Sequence, residues 1–392
     1  MKRSVLMMVL LVFGLWMISS AFAAEDEWGV ITIPKGKTVH LGFSAALTGD
    51  YANLGLDEQN GVTLALEDKK SEVLGFKIEL LSNDDQCEGS PAMAIAEKLA
   101  ADPQFVGLIG YMCSGGSIPA SKTLEKYGFS MISPSSTAAE YTARGMKNVF
   151  RTCFNDSAQG KVAGEYAANV LKLKTAAVLH DKSQYGQPIA ENFKKTFESL
   201  GGKAVAVEGV TRGDKDFRPI LTKIKPMNPQ AVYFGGMAAE GALVARQMKD
   251  IGIQKALFIS DDGCYSVPDF IEGAAPASDG AYITFARPAG EEYKKWEDRF
   301  VKRFGNKPVT FAPQAYDATI AILMAIEKVG KVQADGSLVI GKKALADAIR
   351  GVSFDGVTGK VGFTETGDSQ STVVVWQAQL KDKQFVIAPG QK

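Results

Sequence analysis

Short apolar runs bounded by turn residues recur along this chain, separated by stretches in which apolar residues return every three or four positions. Val39–Phe43, Phe76–Leu81, Val106–Gly110, Met131–Ser133, Ala176–His180, Ala204–Val207, Ala231–Phe234 and Leu257–Ser260 are such runs. Most are continuously apolar, as strands covered on both faces of a parallel sheet are. Ala158–Leu171, Ile189–Leu200 and Glu240–Ile251 carry the helical period. Ser90-Pro91 predicts an N-cap and a proline in the first helical position, opening a helix that runs to Ala101. Strand–helix alternation on this scale predicts an α/β fold with parallel sheets and right-handed crossovers. Two such series are visible, one before about residue 155 and one after it. The final third reads differently: helices at Glu291–Phe304, Pro313–Val329 and Lys342–Arg350, then strands at Val361–Phe363 and Thr372–Gln377. Helices without intervening strands cover sheets that are already built, so the chain is expected to cross between two lobes more than once.

The first residues stand outside this pattern. Lys2 and Arg3 precede an apolar run from Val5 to Ile18 and then the small-residue stretch Ser19–Ala24. That order predicts a cleaved secretory signal peptide over residues 1–24. The run is shorter than the roughly 20 residues that span a bilayer. Without Lys2 and Arg3 the balance becomes 42 basic against 44 acidic residues. So small a net charge gives no reason to expect nucleic acid or an anionic membrane as partner. The four cysteines, Cys87, Cys113, Cys153 and Cys264, permit disulfides in an exported chain, and sequence leaves three pairings open. No C-x-x-C pair occurs and only His40 and His180 offer imidazole, so no metal site is expected.

In open α/β sheets ligands bind beyond the carboxyl ends of the strands. Cys113-Ser114-Gly115-Gly116-Ser117 follows one strand and precedes the helical stretch Ile118–Tyr127. Glycines, hydroxyls and a helix N-terminus suit an anion such as a carboxylate. Phosphate is less favoured, because neither GxGxxG nor GxxxxGK[ST] is present. Ser133-Pro134-Ser135-Ser136-Thr137 ends the next strand and adds hydroxyls, ahead of a helix over Ala138–Arg144. Both segments also read as ordinary helix caps. Asp156, Asp261 and Asp262 lie at or just after strand ends in the second series or at the crossover into it. An ammonium group needs such carboxylates, although turn aspartates are commonly just solvated. Tyr185 offers a ring and a hydroxyl at a cleft mouth. No GxSxG elbow is present and neither histidine stands beside a serine or cysteine, so hydrolysis is weakly supported and the chain is not expected to be an enzyme.

The order of these motifs resembles a known family. The stretches Asp84–Cys87, Ile109–Ser114, Thr137–Thr142, Phe150–Thr152, Asp156–Gly160, His180–Gly186, Lys215–Phe217, Tyr233–Gly236 and Phe354–Gly359 together are similar to the type I periplasmic binding proteins, close to the leucine/isoleucine/valine-binding proteins of ABC importers. The resemblance covers nearly the whole mature chain. It implies two Rossmann-like lobes joined by a three-crossing hinge, with lobe one at 37–156 and 286–370 and lobe two at 157–285 and 371–392. It implies a disulfide between Cys87 and Cys113, with Cys153 and Cys264 either bridged or free. It implies that Ser114, Ser135 through its backbone, and Thr137 hold a ligand α-carboxylate, with Ser136 in the same hydroxyl-rich turn. Tyr185 would lie against the ligand from lobe two, and Asp262 would meet its ammonium group, where the leucine-binding relatives carry the longer Glu. Met237 and Leu54 stand where those relatives have cleft tyrosines, and Asp156 is placed to share the cationic role.

The function implied is capture of a small, branched-chain or aliphatic amino acid by hinge closure, without a cofactor, by a periplasmic monomer that docks on a membrane permease. The same fold leaves open a neutral amide, urea or an aromatic acid as ligand, or a sensing module that reports to a membrane sensor.

Overall fold

The computed structural model describes residues 26–253, 255–286, 288–371 and 375–391; the expected signal peptide over 1–24 lies outside them. Two parallel-dominated sheets organise the chain, as the apolar runs predict. In the first, strands β1 (Val39–Ala45), β2 (Phe76–Asp84), β3 (Phe105–Gly110), β4 (Ser130–Ser133) and β5 (Val149–Arg151) lie in the order β2-β1-β3-β4-β5, all parallel, with the two-residue strand Glu72–Val73 antiparallel beyond β2. Helices α1 (Ala52–Asp68), α2 (Gly89–Ala100) and α3 (Ser114–Lys126) follow β1, β2 and β3. The strand order reverses between β1 and β3, so the loops leaving those two strands part there and open a crevice.

The second sheet repeats the plan. After helix α4 (Asp156–Glu165) come β6 (Thr175–His180), α5 (Gly186–Ser199), β7 (Lys203–Gly209), β8 (Ala231–Gly235), α6 (Ala238–Asp250), β9 (Leu257–Ser260) and β10 (Tyr282–Phe285). The parallel strands run β10-β9-β8-β6-β7, so here the order reverses between β6 and β8. The chain then returns to the first sheet with α7 (Glu291–Phe304), α8 (Ala312–Val329) and α9 (Lys342–Arg350), and crosses back with β11 (Trp376–Lys381) and β12 (Gln384–Ile387), which extend the second sheet antiparallel from β10. The three crossings follow β5, β10 and the hairpin Ser353–Gly356/Gly359–Gly362.

Each lobe has its own core. Leu41, Phe43, Leu108, Ile109 and Ile132 from the first sheet pack with Ile322 and Ile326 of α8. The second sheet separates a cluster around Phe234, Phe258 and Phe270 from one around Phe193, Phe197 and Tyr233. Helix α1 is held unusually close to its neighbours. A Cβ on Gly55 would strike the Ala46 carbonyl, and one on Gly61 would strike the backbone of Ala312 at the start of α8. Asp57, between them, accepts hydrogen bonds from the backbone N–H groups of Val309, Thr310 and Ala312 at 2.8, 3.0 and 3.1 Å.

Several local expectations change. Helix α2 starts at Gly89 with Glu88 as its cap, so Ser90 lies inside the first turn and is not the N-cap. Ser114–Ser117 is the first turn of α3 and not a loop before it, and the helix accommodates Pro119 at its sixth position, where the hydrogen bond to the Gly115 carbonyl is forgone. The segment after β1 turns into α1 at Ala52, a helix that the sequence pattern does not predict because its polar, glycine-bearing start hides the helical period. The strand expected over Thr372–Gln377 runs over Trp376–Lys381, with residues 372–374 outside the described part. The Val361–Phe363 strand is Gly359–Gly362, with Phe363 bridged to Ser369. Strand β5, with three residues, is too short to stand out in sequence, and the sequence pattern does not predict β10 either.

Candidate ligand-binding site

The loops that leave β1, β3 and β4 of the first lobe and β6, β8 and β9 of the second line one cavity of ≈ 530 Å³, counted with its mouth. Lobe one supplies a neutral, donor-rich wall. The N–H groups of Gly116 and Ser117 turn back to the Cys113 carbonyl at 2.9 and 3.0 Å, which leaves the Ser114 and Gly115 amides at the open end of α3. The Cys87–Cys113 disulfide ties the residue before α3 to the loop after β2. That loop is itself fixed by Asp85, which accepts from the Ser44 hydroxyl at 2.7 Å and the Cys87 N–H at 2.8 Å.

Serine hydroxyls lock the adjoining turn in place. Ser133 donates to the Tyr111 carbonyl at 2.6 Å and accepts from the Ser136 N–H at 2.9 Å. Ser135 donates to the Met112 carbonyl at 2.9 Å, and the Ser114 hydroxyl oxygen accepts from the Ala138 N–H at 3.3 Å. Arg151, fully buried, donates to the carbonyls of Ser136 and Ala138 at 3.0 and 2.9 Å and pairs with Asp368 at 2.6 Å. Ser114, Ser135 and Thr137 therefore reach the cavity from rigid backbone. Ser136 does not line it: its hydroxyl shares a 2.5 Å hydrogen bond with Ser117 and faces the Tyr111 and Met112 carbonyls.

The lobe-two wall is acidic. The Tyr185 hydroxyl sits 2.6 Å from Asp261 and 2.8 Å from Asp262, and accepts from the Gly263 N–H at 2.9 Å. Gln159 on α4 donates from one amide nitrogen to Asp156, at 2.9 Å, and to Asp262. Its oxygen accepts from Thr284 at 2.9 Å, which fixes the orientation of the amide. Three carboxyls thus meet at one amide and one phenol. Burial drives Asp262 up to about 6 against the hydrogen bonds from Gln159 and Tyr185. Asp156 and Asp261 are raised as well, by burial first and by the Asp262 charge second. One oxygen each of Asp156 and Asp261 takes no hydrogen bond among the described residues. Of the three, Asp262 reaches the cavity; Asp156 stands behind Thr137, whose carbonyl accepts the Asp156 N–H at 3.0 Å.

Leu54, Met112, Met237 and Phe311 supply the apolar remainder of the wall. Tyr185, Ile189 and Met237 from lobe two pack with Tyr51 and Leu54 from lobe one. The rim is latched across the lobes. The Tyr51 hydroxyl donates to Glu240 at 3.0 Å, and Arg212 lies over the Tyr51 ring at 4.7 Å while donating to the Cys87 carbonyl at 3.3 Å. Asn53 bonds Asp269 at 2.8 Å and Lys215 bonds Asp50 at 2.9 Å.

This architecture matches a known group. The profile of the family described as periplasmic binding protein fits residues 38–384. The chain belongs to the periplasmic binding protein family. A relative from Pseudomonas aeruginosa, a leucine-, isoleucine-, valine-, threonine- and alanine-binding protein, is 36% identical over 372 residues, 93% of this chain and 96% of its own. A leucine binding protein from Thermotoga maritima superposes with a TM-score of 0.80 at 27% identity, over 90% of this chain and 98% of that one. A branched-chain amino acid transporter substrate binding protein from Streptococcus pneumoniae, in complex with isoleucine, gives 0.79 at 25% identity, over 89% and 98%. Members of this family bind substrates and do not transform them.

The disulfide implied by the resemblance, Cys87–Cys113, is present, and Cys153 and Cys264 are buried free thiols. Among the described residues no His, Cys, Asp and Glu cluster could hold a metal ion, and no helix is long and apolar enough to cross a membrane. Sequence reasoning did not single out Glu58, Arg212, Gln159 or Arg151. Glu58 left a signal: it stands four residues from Leu54 and from Val62, an acid on an otherwise apolar helical stripe. Gln159 and Arg151 lie in stretches that carry the family resemblance, but their roles depend on partners more than 100 residues away.

Proposed function

We propose that the chain is the periplasmic substrate-binding component of an ABC importer and that it captures a small amino acid of the branched-chain or aliphatic kind by closing two lobes around it. The observation that carries this reading is the pairing of opposite chemistries across one cavity. Ser114 and Thr137 present hydroxyls, Ser135 its backbone, and the start of α3 its open amides from lobe one, and Asp262 with Tyr185 presents a carboxyl from lobe two. A carboxylate is stabilised at a helix N-terminus by backbone N–H groups. An ammonium group is stabilised by a carboxylate that burial has left uncompensated. An α-amino acid carries both, and Leu54, Met112, Met237 and Phe311 suit an apolar side-chain body.

In this reading the lobes are 37–156 with 286–370 and 157–285 with 371–392, and closure brings Asp262 onto a ligand already seated on lobe one. The rim contacts of Tyr51, Asn53 and Arg212 hold the closed form. The ligand shifts the open–closed balance only through contacts that it makes better when the lobes meet. The closed form then docks on a membrane permease. The relatives' amino-acid-binding names support the ligand class. A thermal-shift screen of the mature protein against the amino acids tests it: at 100 times the dissociation constant a ligand stabilises by about 2.7 kcal/mol. A shift with at least one small amino acid is expected; silence across the whole set contradicts the reading.

A further inference from the structure

Two carboxyls stand side by side on α1, both fully enclosed, and their surroundings differ completely. Asp57 accepts three backbone N–H groups. Glu58 is only 1% exposed, and neither of its oxygens takes a hydrogen bond among the described residues. No cation forms an ion pair with it there. Yet Glu58 lines the ligand cavity, beside Ser114 and Ser135 and across from Asp262. The Ser135 hydroxyl lies close enough to act on Glu58, but its single hydrogen is directed at the Met112 carbonyl at 2.9 Å. A buried polar group without a partner is costly to leave so. Its position is also not accidental slack, because the close approaches of Gly55 to Ala46 and Gly61 to Ala312 pin the helix on both sides of it.

We propose that Glu58 is a specificity-determining residue that receives a hydrogen-bond donor from the ligand's side chain, so the site favours small amino acids bearing a hydroxyl or carboxamide over apolar ones of the same shape. This rests on the amino-acid reading above and narrows it. The main-chain ends of the ligand are already served by Ser114, Thr137 and Asp262, which leaves the side chain to meet Glu58. A neutral donor fits better than a cation. Burial raises the Glu58 carboxyl well above the usual range; the neighbouring Ser135 hydroxyl opposes this, and the charges of Asp57 and Asp85 add to it. A protonated carboxyl still accepts a hydrogen bond, whereas pairing with a cation first requires its ionisation in an enclosed site.

The test is titration calorimetry on the mature protein with shape-matched pairs, threonine against valine and asparagine against leucine. In the wild type the donor-bearing member of at least one pair is expected to bind about tenfold tighter or more, the size of one hydrogen bond to a polar buried group. Glu58→Met is expected to erase or reverse that preference, read as the ratio of the two affinities within each pair. If Glu58→Met lowers the ligand-free thermal midpoint too far to titrate, Glu58→Ala, which also lacks an acceptor, decides by the same ratio: a reduced preference supports the assignment and an unchanged one overturns it. Equal or apolar-favouring affinity in both wild-type pairs overturns this inference alone. Absence of binding by any amino acid overturns the amino-acid reading, and the inference with it.

Discussion

The two walls of the cleft are built from the same α/β plan and carry opposite electrostatics. On lobe one the groups that hold the cavity wall in place are engaged: the hydroxyls of Ser133 and Ser135 face carbonyls, Asp85 has two donors, Asp57 has three, and Arg151 pins the turn from behind, while Glu58 has no hydrogen-bond partner among the described residues. On lobe two, Asp156, Asp261 and Asp262 share one amide and one phenol, with no positive charge in hydrogen-bond contact. Lobe one is thus rigid and ready before any ligand arrives. Lobe two holds carboxyls whose charge burial opposes, so they take up protons more readily, and an incoming cation would favour the ionised form instead. In the proposed reading the difference means that the lobes divide the labour: one positions the anionic end of a ligand, and the other gains from closing on its cationic end.

Breaking the rigidity of lobe one should have the largest effect. A bridge enclosing 26 residues is worth about 3–4 kcal/mol in the chain-entropy account. Cys87→Ser with Cys113→Ser should lower unfolding stability by that order, read from urea denaturation. Removing the donors themselves comes next. Ser114→Ala with Thr137→Ala should weaken binding of an α-amino acid by about 100-fold or more, since two contacts to a charged group are lost at about 1.5–3 kcal/mol each. Calorimetry checks it, and unchanged affinity would remove these residues from the site.

Lobe two can be sharpened with pH. The folded-state value of Asp262 is raised to about 6, against about 3.9 in an unfolded chain. In the ligand-free protein its contribution to stability is therefore fully present below about pH 4 and is lost as the pH rises through about 6. A ligand ammonium reverses the sign, because it binds the ionised form, so affinity should rise through the same window. Asp262→Asn should bind about tenfold or more weakly at pH 7.5 and flatten both pH dependences, read by thermal midpoints and calorimetry between pH 4.5 and 7.5. The smallest effect belongs to the rim. Tyr51→Phe removes one hydroxyl shared with Glu240 and Arg212 and should cost about 1 kcal/mol of ligand-linked stabilisation, visible as a smaller thermal shift at fixed ligand.

Much of the fold was legible because buried parallel strands write themselves as continuous apolar runs, as in Leu257–Ser260, which matches β9 residue for residue. Edge and connector strands such as Val149–Arg151 have only three residues and leave too little pattern to read. The candidate site was legible where it sits at strand ends, as with Ser114, Thr137, Tyr185 and Asp262. It was hidden where a side chain enters from mid-helix. Glu58 lies in the second turn of α1, a helix whose start, Ala52-Asn53-Leu54-Gly55, resembles a loop. Ser136 shows the converse: composition marks it as a ligand group, but its hydroxyl is taken up by Ser117 and two carbonyls, a commitment that only the three-dimensional arrangement reveals.

The division of labour between the walls is tested most directly by taking the amino acid that gives the largest thermal shift and titrating it beside two analogues, its α-carboxamide and its deaminated acid. Loss of about 100-fold or more with both analogues is the predicted result, the amide failing on lobe one and the acid failing on lobe two. An analogue that binds as well as the parent amino acid would contradict the role assigned to the wall it no longer needs.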